Sequence, residues 1–204
     1  MKIGTKSLLA GAHCLLIHPF FVWKSWWRLF GVPWDPRILC ACFLHDIGYF
    51  GRDEMEGPTG DEHVLLGARL MGWLFGPEWA DECVRHSRSW CKRTGLPVSR
   101  LGLADKLAFA ITPAWLYIPM ARWSGELAEY MQISKERRNK SFTEAELWLL
   151  DSEDPREWLE GLQSYTLRWV EQQHAEYLNL SRIRSVGLSQ SSPAGFGSCN
   201  QSLR

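Results

Sequence analysis

Signals that begin and end helices follow one another along almost the whole chain, and no stretch sustains the alternation of apolar and polar residues typical of a half-buried strand. Asp35-Pro36 places a capping side chain before a proline that suits a first helical turn. Thr143 and Glu146 have the spacing of a capping box, and Ser99 can cap another helix. These signals predict an all-α protein, a bundle of about six to nine helices.

The same signals divide the chain into helices joined by short loops that contain Gly and Pro. The predicted helices span residues 5–30 with a break near Pro19, 37–46, 61–75, 77–90, 99–111, 125–139, 143–151 and 155–178. From about Ser181 onward, Ser, Gly, Asn and Gln replace most of the large apolar residues. We therefore expect a single domain over residues 1–180 and a disordered tail over residues 181–204.

The balance of charges limits the partners that the chain can attract. Its 204 residues include 23 acidic and 23 basic side chains, so no net field favours binding to nucleic acid. Hydrophobic residues make up 46% of the chain, which is enough for a core without disulfide bonds. Six Cys occur without a CxxC pair, and most lie in apolar helical patterns. We therefore predict buried, reduced thiols and a cytoplasmic protein.

The apolar run that begins at Leu8 resembles a signal peptide only superficially. It contains His13 and His18, ends at Pro19 and has no small-residue cleavage site. It is also too short and too interrupted to cross a bilayer. We therefore predict that it forms a buried first helix.

The chain holds 12 Trp, and Trp23, Trp26 and Trp27 fall on one helical face. Such a face more often packs in a core than against a lipid surface, so we favour core packing and keep membrane contact as the alternative. A homodimer formed through exposed aromatic side chains also stays open.

Histidine and aspartate residues lie at the ends or on the faces of separate predicted helices in the first half of the chain. His45-Asp46 ends an apolar helix, His63 opens the next helix, His86 lies on the one after that, and Asp105 lies on the fourth. Imidazoles and carboxylates on facing helices are the usual way in which a helical domain builds a metal site. An isolated His-Asp pair would be a weak signal, but this ordered series predicts a metal site.

These segments resemble the signatures of the HD superfamily. ILCACFLHDIGYFG is similar to the helix that delivers adjacent His and Asp in that family, HVLLGARLM begins at His63, CVRHSRSW carries His86, and LADKLA carries Asp105. The resemblance covers roughly residues 13–120 and implies an HD-domain-like helical bundle. We match no known family to the chain after about Trp123.

The resemblance implies two metal sites that share one carboxylate. The implied ligands are His18, His45, Asp46 and Asp105 for one ion, and Asp46, His63 and His86 for the other. For the upstream histidine, His18 is favoured because Val22 follows it in the family's spacing, and His13 stays the alternative. The implied cofactor is one or two divalent transition-metal ions, chosen from Mn, Fe, Co, Ni and Zn. Asp46 would be a catalytic residue as well as a ligand.

Most members of the superfamily are phosphohydrolases, so the resemblance implies a metal-dependent hydrolase that acts on a phosphate ester or nucleotide through a metal-activated water. Arg88 and Lys106 follow His86 and Asp105 closely and are candidates to bind the phosphate of a small-molecule substrate. Two alternatives stay open. One is a diiron oxygenase of the same superfamily that cleaves a C–C or C–P bond, and the other is a non-catalytic regulatory or binding module.

Overall fold

Every regular element of the computed structural model is helical over the residues that it describes, 1–136 and 141–190. The described residues form twelve α-helices, of which eleven have seven residues or more and one is a single turn. Residues 47–49 and 61–63 form 3-10 turns. In chain order the helices are α1 Ile3–Ala10, α2 His18–Phe30, α3 Pro36–Leu44, α4 Gly57–Gly60, α5 Val64–Phe75, α6 Pro77–Val84, α7 Arg88–Thr94, α8 Arg100–Ile111, α9 Ala114–Ser124, α10 Glu126–Glu136, α11 Glu144–Leu150 and α12 Pro155–Gln190. The all-α prediction is confirmed, and the number of helices in the described residues exceeds the predicted range of about six to nine.

Two predicted helices are interrupted, which accounts for part of this excess. The predicted helix over 5–30 breaks at residues 11–17, near Pro19 as predicted but not at the proline itself. Pro19 instead lies in the first turn of α2, where the missing N–H of proline costs nothing. The predicted helix over 77–90 breaks around His86, between α6 and α7. The first of these breaks positions the start of α2, and the second places His86 in a connection rather than on a helix.

Helix α9 has no counterpart among the predicted helices. Its two prolines are signals against a helix, yet Pro113 is the N-cap and Pro119 lies inside the helix. Tyr117, Ile118 and Ala121 bury one face of α9 in the protein. This burial of apolar surface outweighs the local cost of the internal proline.

The predicted helix caps are confirmed. The side chains of Asp35 and Ser99 each accept a hydrogen bond from a backbone N–H in the first turn of α3 and α8, respectively. Thr143 and Glu146 form a complete capping box at the start of α11, in which the Thr143 N–H donates to Glu146 Oε2 over 2.7 Å. Local side-chain chemistry therefore fixes where these three helices begin.

We expect Thr143→Ala to lower the free energy of unfolding by about 1 kcal/mol, because the Glu146 N–H would lose the acceptor that now lies 3.2 Å away. Thr143→Ser keeps the hydroxyl and should cost only roughly a few tenths of a kcal/mol. Urea unfolding followed by circular dichroism measures both values. Equal losses in the two variants would assign the effect to the methyl group instead of the cap.

Two cores of buried side chains are linked by α8. The first core brings α2, α3, α5 and α6 against α8 and includes Trp26 and Ala104. The second lies among α9, α10, α11 and α12, includes Trp158, and has Phe109 of α8 packed against it. Helix α8 contacts both α2 and α12. A residue on α8 can therefore face a space between the N-terminal and C-terminal halves.

All five Cys in the described part of the chain are free, and the buried ones are Cys14, Cys42, Cys83 and Cys91. Burial raises the pKa of Cys42 to about 12, which keeps its thiol protonated. The sixth, Cys199, lies outside the described residues.

The three Trp of α2 do not share one outward face. Trp26 lies in the first core and is 3% exposed, Trp23 packs partly against that core, and Trp27 is half exposed. Within the described ranges, no single helix has the length and hydropathy needed to cross a membrane. Helices α8 and α9 have that length and hydropathy only when they are taken together, and a bend of 103° separates them.

Helix α12 continues to Gln190, past the point at Ser181 where we placed the start of the tail. Residues 191–204 lie outside the described residues, so the disorder predicted for the tail stays a prediction.

Candidate metal centre

The six residues predicted to bind metal come from separate parts of the fold and meet in its interior: His18, His45, Asp46, His63, His86 and Asp105. His18 is the first residue of α2, and Asp105 lies on α8, which packs against α2. His45 and Asp46 directly follow the last residue of α3. All six side chains belong to residues that are between 1% and 8% exposed. Burial of so many polar groups is costly unless something binds them.

Two glycines allow the segments that carry His63 and His86 to approach the centre. A Cβ atom at Gly48 would collide with the backbone of His63, and one at Gly102 would press on the backbone of His86. Gly48 belongs to the HDIG sequence, so the close approach begins two residues after the His-Asp pair. The absence of a side chain at these two positions is therefore part of how the site is assembled.

The His18 group consists of His18, His45, Asp46 and Asp105. The His18 Nε2 atom lies 3.0 Å from Asp105 Oδ1 and 3.4 Å from Asp46 Oδ2. The His45 Nε2 atom lies 3.0 Å from Asp46 Oδ2 and 3.8 Å from Asp105 Oδ1. Two imidazole nitrogens and two carboxylate oxygens thus surround one point.

The His63 group consists of Asp46, His63 and His86. The Nε2 atoms of His63 and His86 are 3.1 Å apart, and they lie 3.7 and 3.3 Å from Asp46 Oδ1, respectively. Asp46 therefore faces this group with Oδ1 and the His18 group with Oδ2. Among the described residues it is the one that both groups share.

Three of the imidazoles are oriented by the backbone, because the Nδ1 atom of each is bonded to the carbonyl oxygen three residues earlier. The pairs are His45 with Cys42 at 2.9 Å, His63 with Gly60 at 2.7 Å, and His86 with Cys83 at 2.6 Å. A carbonyl only accepts, so each Nδ1 carries a proton and donates it, which leaves each Nε2 facing the centre. This is the tautomer in which histidine binds a metal through Nε2.

The residues fit a bound cation. Nε2 of His18, Nε2 of His45 and Oδ2 of Asp46 are buried without a hydrogen-bond partner, and the two lone pairs of His63 and His86 face each other. Ligands at about 2.1 Å from one transition-metal ion are separated by roughly 3.0 to 3.4 Å, which most of the distances in both groups approach. A cation in each group would satisfy atoms that otherwise repel or stay unpaired.

The surroundings shift the pKa values of two of the imidazoles in opposite directions. Burial and the nearby ring of His86 lower the pKa of His63 to about 3, so this ring is neutral at neutral pH. Burial would also lower the pKa of His45, but the charges of Asp46 and Asp105 more than offset it and raise that pKa to about 10. A metal ion would replace this proton, and binding in the His18 group should therefore release protons.

His13, the alternative upstream ligand, lies beside the centre and outside both groups. Its Nδ1 atom is 2.9 Å from Oε1 of Glu126, a fully buried carboxylate that also accepts a hydrogen bond from Ser7 Oγ over 2.6 Å. Its ring centroid is 5.6 Å from that of His18. The geometry thus places His18, rather than His13, with the other predicted ligands.

A cavity of about 440 Å³ opens onto the cluster of ligands, and both predicted phosphate-binding residues line it. Lys106 Nζ donates to Asp105 Oδ2 over 2.7 Å. The Arg88 guanidinium donates to Tyr165 Oη over 2.8 Å and lies over the ring of Trp169, 4.4 Å from its centroid. Both cations are therefore held beside the centre by other side chains.

Several residues that line the cavity were not predicted from the sequence. Lys92 lies on α7 like Arg88 and adds a third cation, and the spacing of four residues could have indicated a shared face. Phe142 and Tyr165 come from the second half of the chain, where no motif singled them out. Tyr165 reaches the cavity because α12 packs against α8, and Phe142 stacks on Tyr165.

No family model matches the chain, and no curated protein or solved structure matches it either. The buried cluster is consistent with a metal site of the HD type and can hold one or two ions.

Proposed function

We propose that this protein is a dinuclear metal-dependent phosphohydrolase of the HD superfamily. The observation that carries the proposal is the shared carboxylate: Asp46 faces two separate histidine-rich groups with its two oxygens, next to a cavity lined by cations. Two adjacent divalent ions, when bound, lower the pKa of a water molecule and neutralise the charge of a phosphate. The order and surroundings of the ligands support the family, because they follow the signatures that the sequence resembles.

The residues of the chain itself would bind and orient the phosphate. One N–H of the Arg88 guanidinium donates to Tyr165 Oη, and its other N–H groups could donate to a phosphate. The contacts of Arg88 with Tyr165 and Trp169 restrict its rotation. Lys106 supplies a point charge next to Asp105. Because the six ligand residues are themselves buried, bulk water would be largely excluded from the atoms that hold the metal.

The test begins with protein purified without oxygen and loaded separately with Mn, Fe, Co, Ni or Zn. Release of phosphate from p-nitrophenyl phosphate, with oxygen consumption recorded in parallel, compares the hydrolase with the oxygenase of the same superfamily. Phosphate release that requires metal and needs no oxygen is expected. Oxygen uptake with iron alone, without phosphate release with any of the five metals, would refute the hydrolase and favour the oxygenase.

We expect Arg88→Met to raise the KM for p-nitrophenyl phosphate by roughly 10- to 100-fold, because a hydrogen bond between charged groups is lost. Arg93→Met is the matched control, since Arg93 lies on the same helix but outside the cavity lining. The control should keep the KM of the unaltered protein. Steady-state kinetics of both variants measure the effect, and an equal KM for the two would remove Arg88 from phosphate binding.

A further inference from the structure

The lining of the cavity changes character at one point in the sequence. Among the described residues, every lining side chain that is acidic, basic or histidine precedes position 107, and this set includes all of the candidate ligands except His45. The remaining wall comes from α8, α9, α10, the segment before α11, and α12. Its members are Phe109, Thr112, Tyr117, Tyr130, Ile133, Ser134, Phe142, Leu162, Tyr165 and Thr166. The cavity therefore has a charged end at the candidate metal centre and an uncharged wall built by the second half of the chain.

The hydroxyl groups in this wall are largely used within the protein. Thr112 Oγ1 and Thr166 Oγ1 donate to carbonyl oxygens of their own helices over 2.7 and 2.8 Å. Ser134 Oγ donates to a carbonyl of α10 over 2.9 Å and accepts from Trp158 Nε1 over 2.8 Å. In the part of the chain that the structure describes, this wall contains no carboxylate, amide, ammonium or guanidinium side chain. It offers few groups to a sugar or a nucleobase, whose polar edges would lose their hydrogen bonds to water.

The two ends of the cavity meet at Arg88. Its guanidinium donates to Tyr165 Oη, and the ring of Tyr165 stacks on Phe142 with centroids 4.0 Å apart and planes 25° apart. On α8, Phe109 packs edge-on against Tyr117, with centroids 5.3 Å apart. An anion held by Arg88 would thus have aromatic surface directly beside it.

We propose that the substrate is an amphipathic phosphate monoester, with the phosphate at the candidate metal centre and an apolar alkyl or aryl group against the uncharged wall. This inference rests on the proposed hydrolase function and narrows it. The volume of about 440 Å³ exceeds what a phosphate fills and falls in the range of pockets for drug-sized ligands. In the reaction, water adds to phosphorus, the P–O bond to the alcohol breaks, and the alcohol leaves with a proton from that water, which yields inorganic phosphate.

A homologous series of substrates tests the inference. The probes are ethyl, butyl, hexyl and octyl phosphate, compared with adenosine monophosphate. We expect kcat/KM to rise roughly three- to fourfold for each added methylene that the cavity can bury. The affinity of the matching alkylphosphonates for the metal-loaded protein, measured by calorimetry, should rise in parallel.

Two variants locate the chain-length effect. Leu162→Asn places an amide in the uncharged wall and should flatten the increase of kcat/KM with chain length. Leu178→Asn makes the same change on α12 at a residue that is 41% exposed and outside the cavity lining. That control should keep the slope of the unaltered protein, and circular dichroism verifies that both variants fold.

The readouts separate this inference from the proposed function. Phosphate release that is independent of chain length, or is fastest with adenosine monophosphate, would overturn the amphipathic substrate and leave the hydrolase standing. Phosphonate affinity that rises with chain length, without hydrolysis of any ester, would support the amphipathic ligand and refute the hydrolase. Neither binding nor turnover in any member of the series would refute both.

Discussion

Asp46→Asn should reduce the metal content of the protein to background while leaving its helical content unchanged. The two oxygens of Asp46 face different groups, with Oδ1 lying 3.3 Å from His86 Nε2 and Oδ2 lying 3.0 Å from His45 Nε2. An amide of the same shape removes the negative charge from both at once. Loss of a residue that merely orients a ligand lowers metal affinity by 10- to 100-fold, so loss of the shared ligand should exceed about 100-fold.

Elemental analysis after equilibrium dialysis against each metal, together with far-ultraviolet circular dichroism, measures this prediction. Glu146→Gln is the matched control, because Glu146 is also buried but pairs with Arg168 over 2.6 Å, away from the site. The control should bind as much metal as the unaltered protein. Full metal content in Asp46→Asn would mean that the cluster does not bind ions through its shared carboxylate, and the proposed function would fall with it.

The candidate centre could be predicted from the sequence because its ligands lie in short segments with recognisable residue types and spacing. The His-Asp pair ends an apolar helix, and a following glycine permits the next segment to approach, so the residue types and the helix boundaries already carry much of the information. All six predicted residues meet within two groups. The error in the predicted helix over 77–90 did not affect the prediction of the site, since His86 reaches the centre from the connection between α6 and α7.

The choice between His13 and His18 could not be made from spacing alone. It depends on Glu126, which lies 113 residues after His13 and bonds to its Nδ1 atom. Glu126 is fully buried and opens α10, a helix in the part of the chain that resembles no known family. A partner so distant in sequence leaves no local signal around His13.

The uncharged wall of the cavity could not be predicted from the sequence either. Periodicity predicts which face of a helix is buried, but it does not state what that face contacts. Arg88 and Tyr165 are 77 residues apart, and their hydrogen bond depends on the packing of α12 against the rest of the fold, including α8. Helix α9, whose Tyr117 lines the same cavity, carries an internal proline that argued against a helix at all. The features that would select a substrate thus depend on tertiary packing.

The double variant His63→Ala/His86→Ala should bind one ion per chain where the unaltered protein binds two. These two imidazoles supply the Nε2 atoms of the His63 group, 3.1 Å apart, while the His18 group retains all four of its members. A bound ion present at 100 times its Kd stabilises a folded protein by about 2.7 kcal/mol, so the variant should also lose about that much of its metal-dependent stability. Metal titration by calorimetry and thermal unfolding with and without chelator measure the two effects.

The complementary variant His18→Ala tests whether the two groups act separately. It removes a ligand from the His18 group only, and it should spare an ion held by Asp46, His63 and His86. If each variant retains one ion and the three changes together abolish binding, the two groups are distinct sites joined by Asp46. Two ions retained in His63→Ala/His86→Ala would instead make those histidines structural: the stacking of His63 on Tyr49, with centroids 4.0 Å apart, would then be what keeps that ring buried.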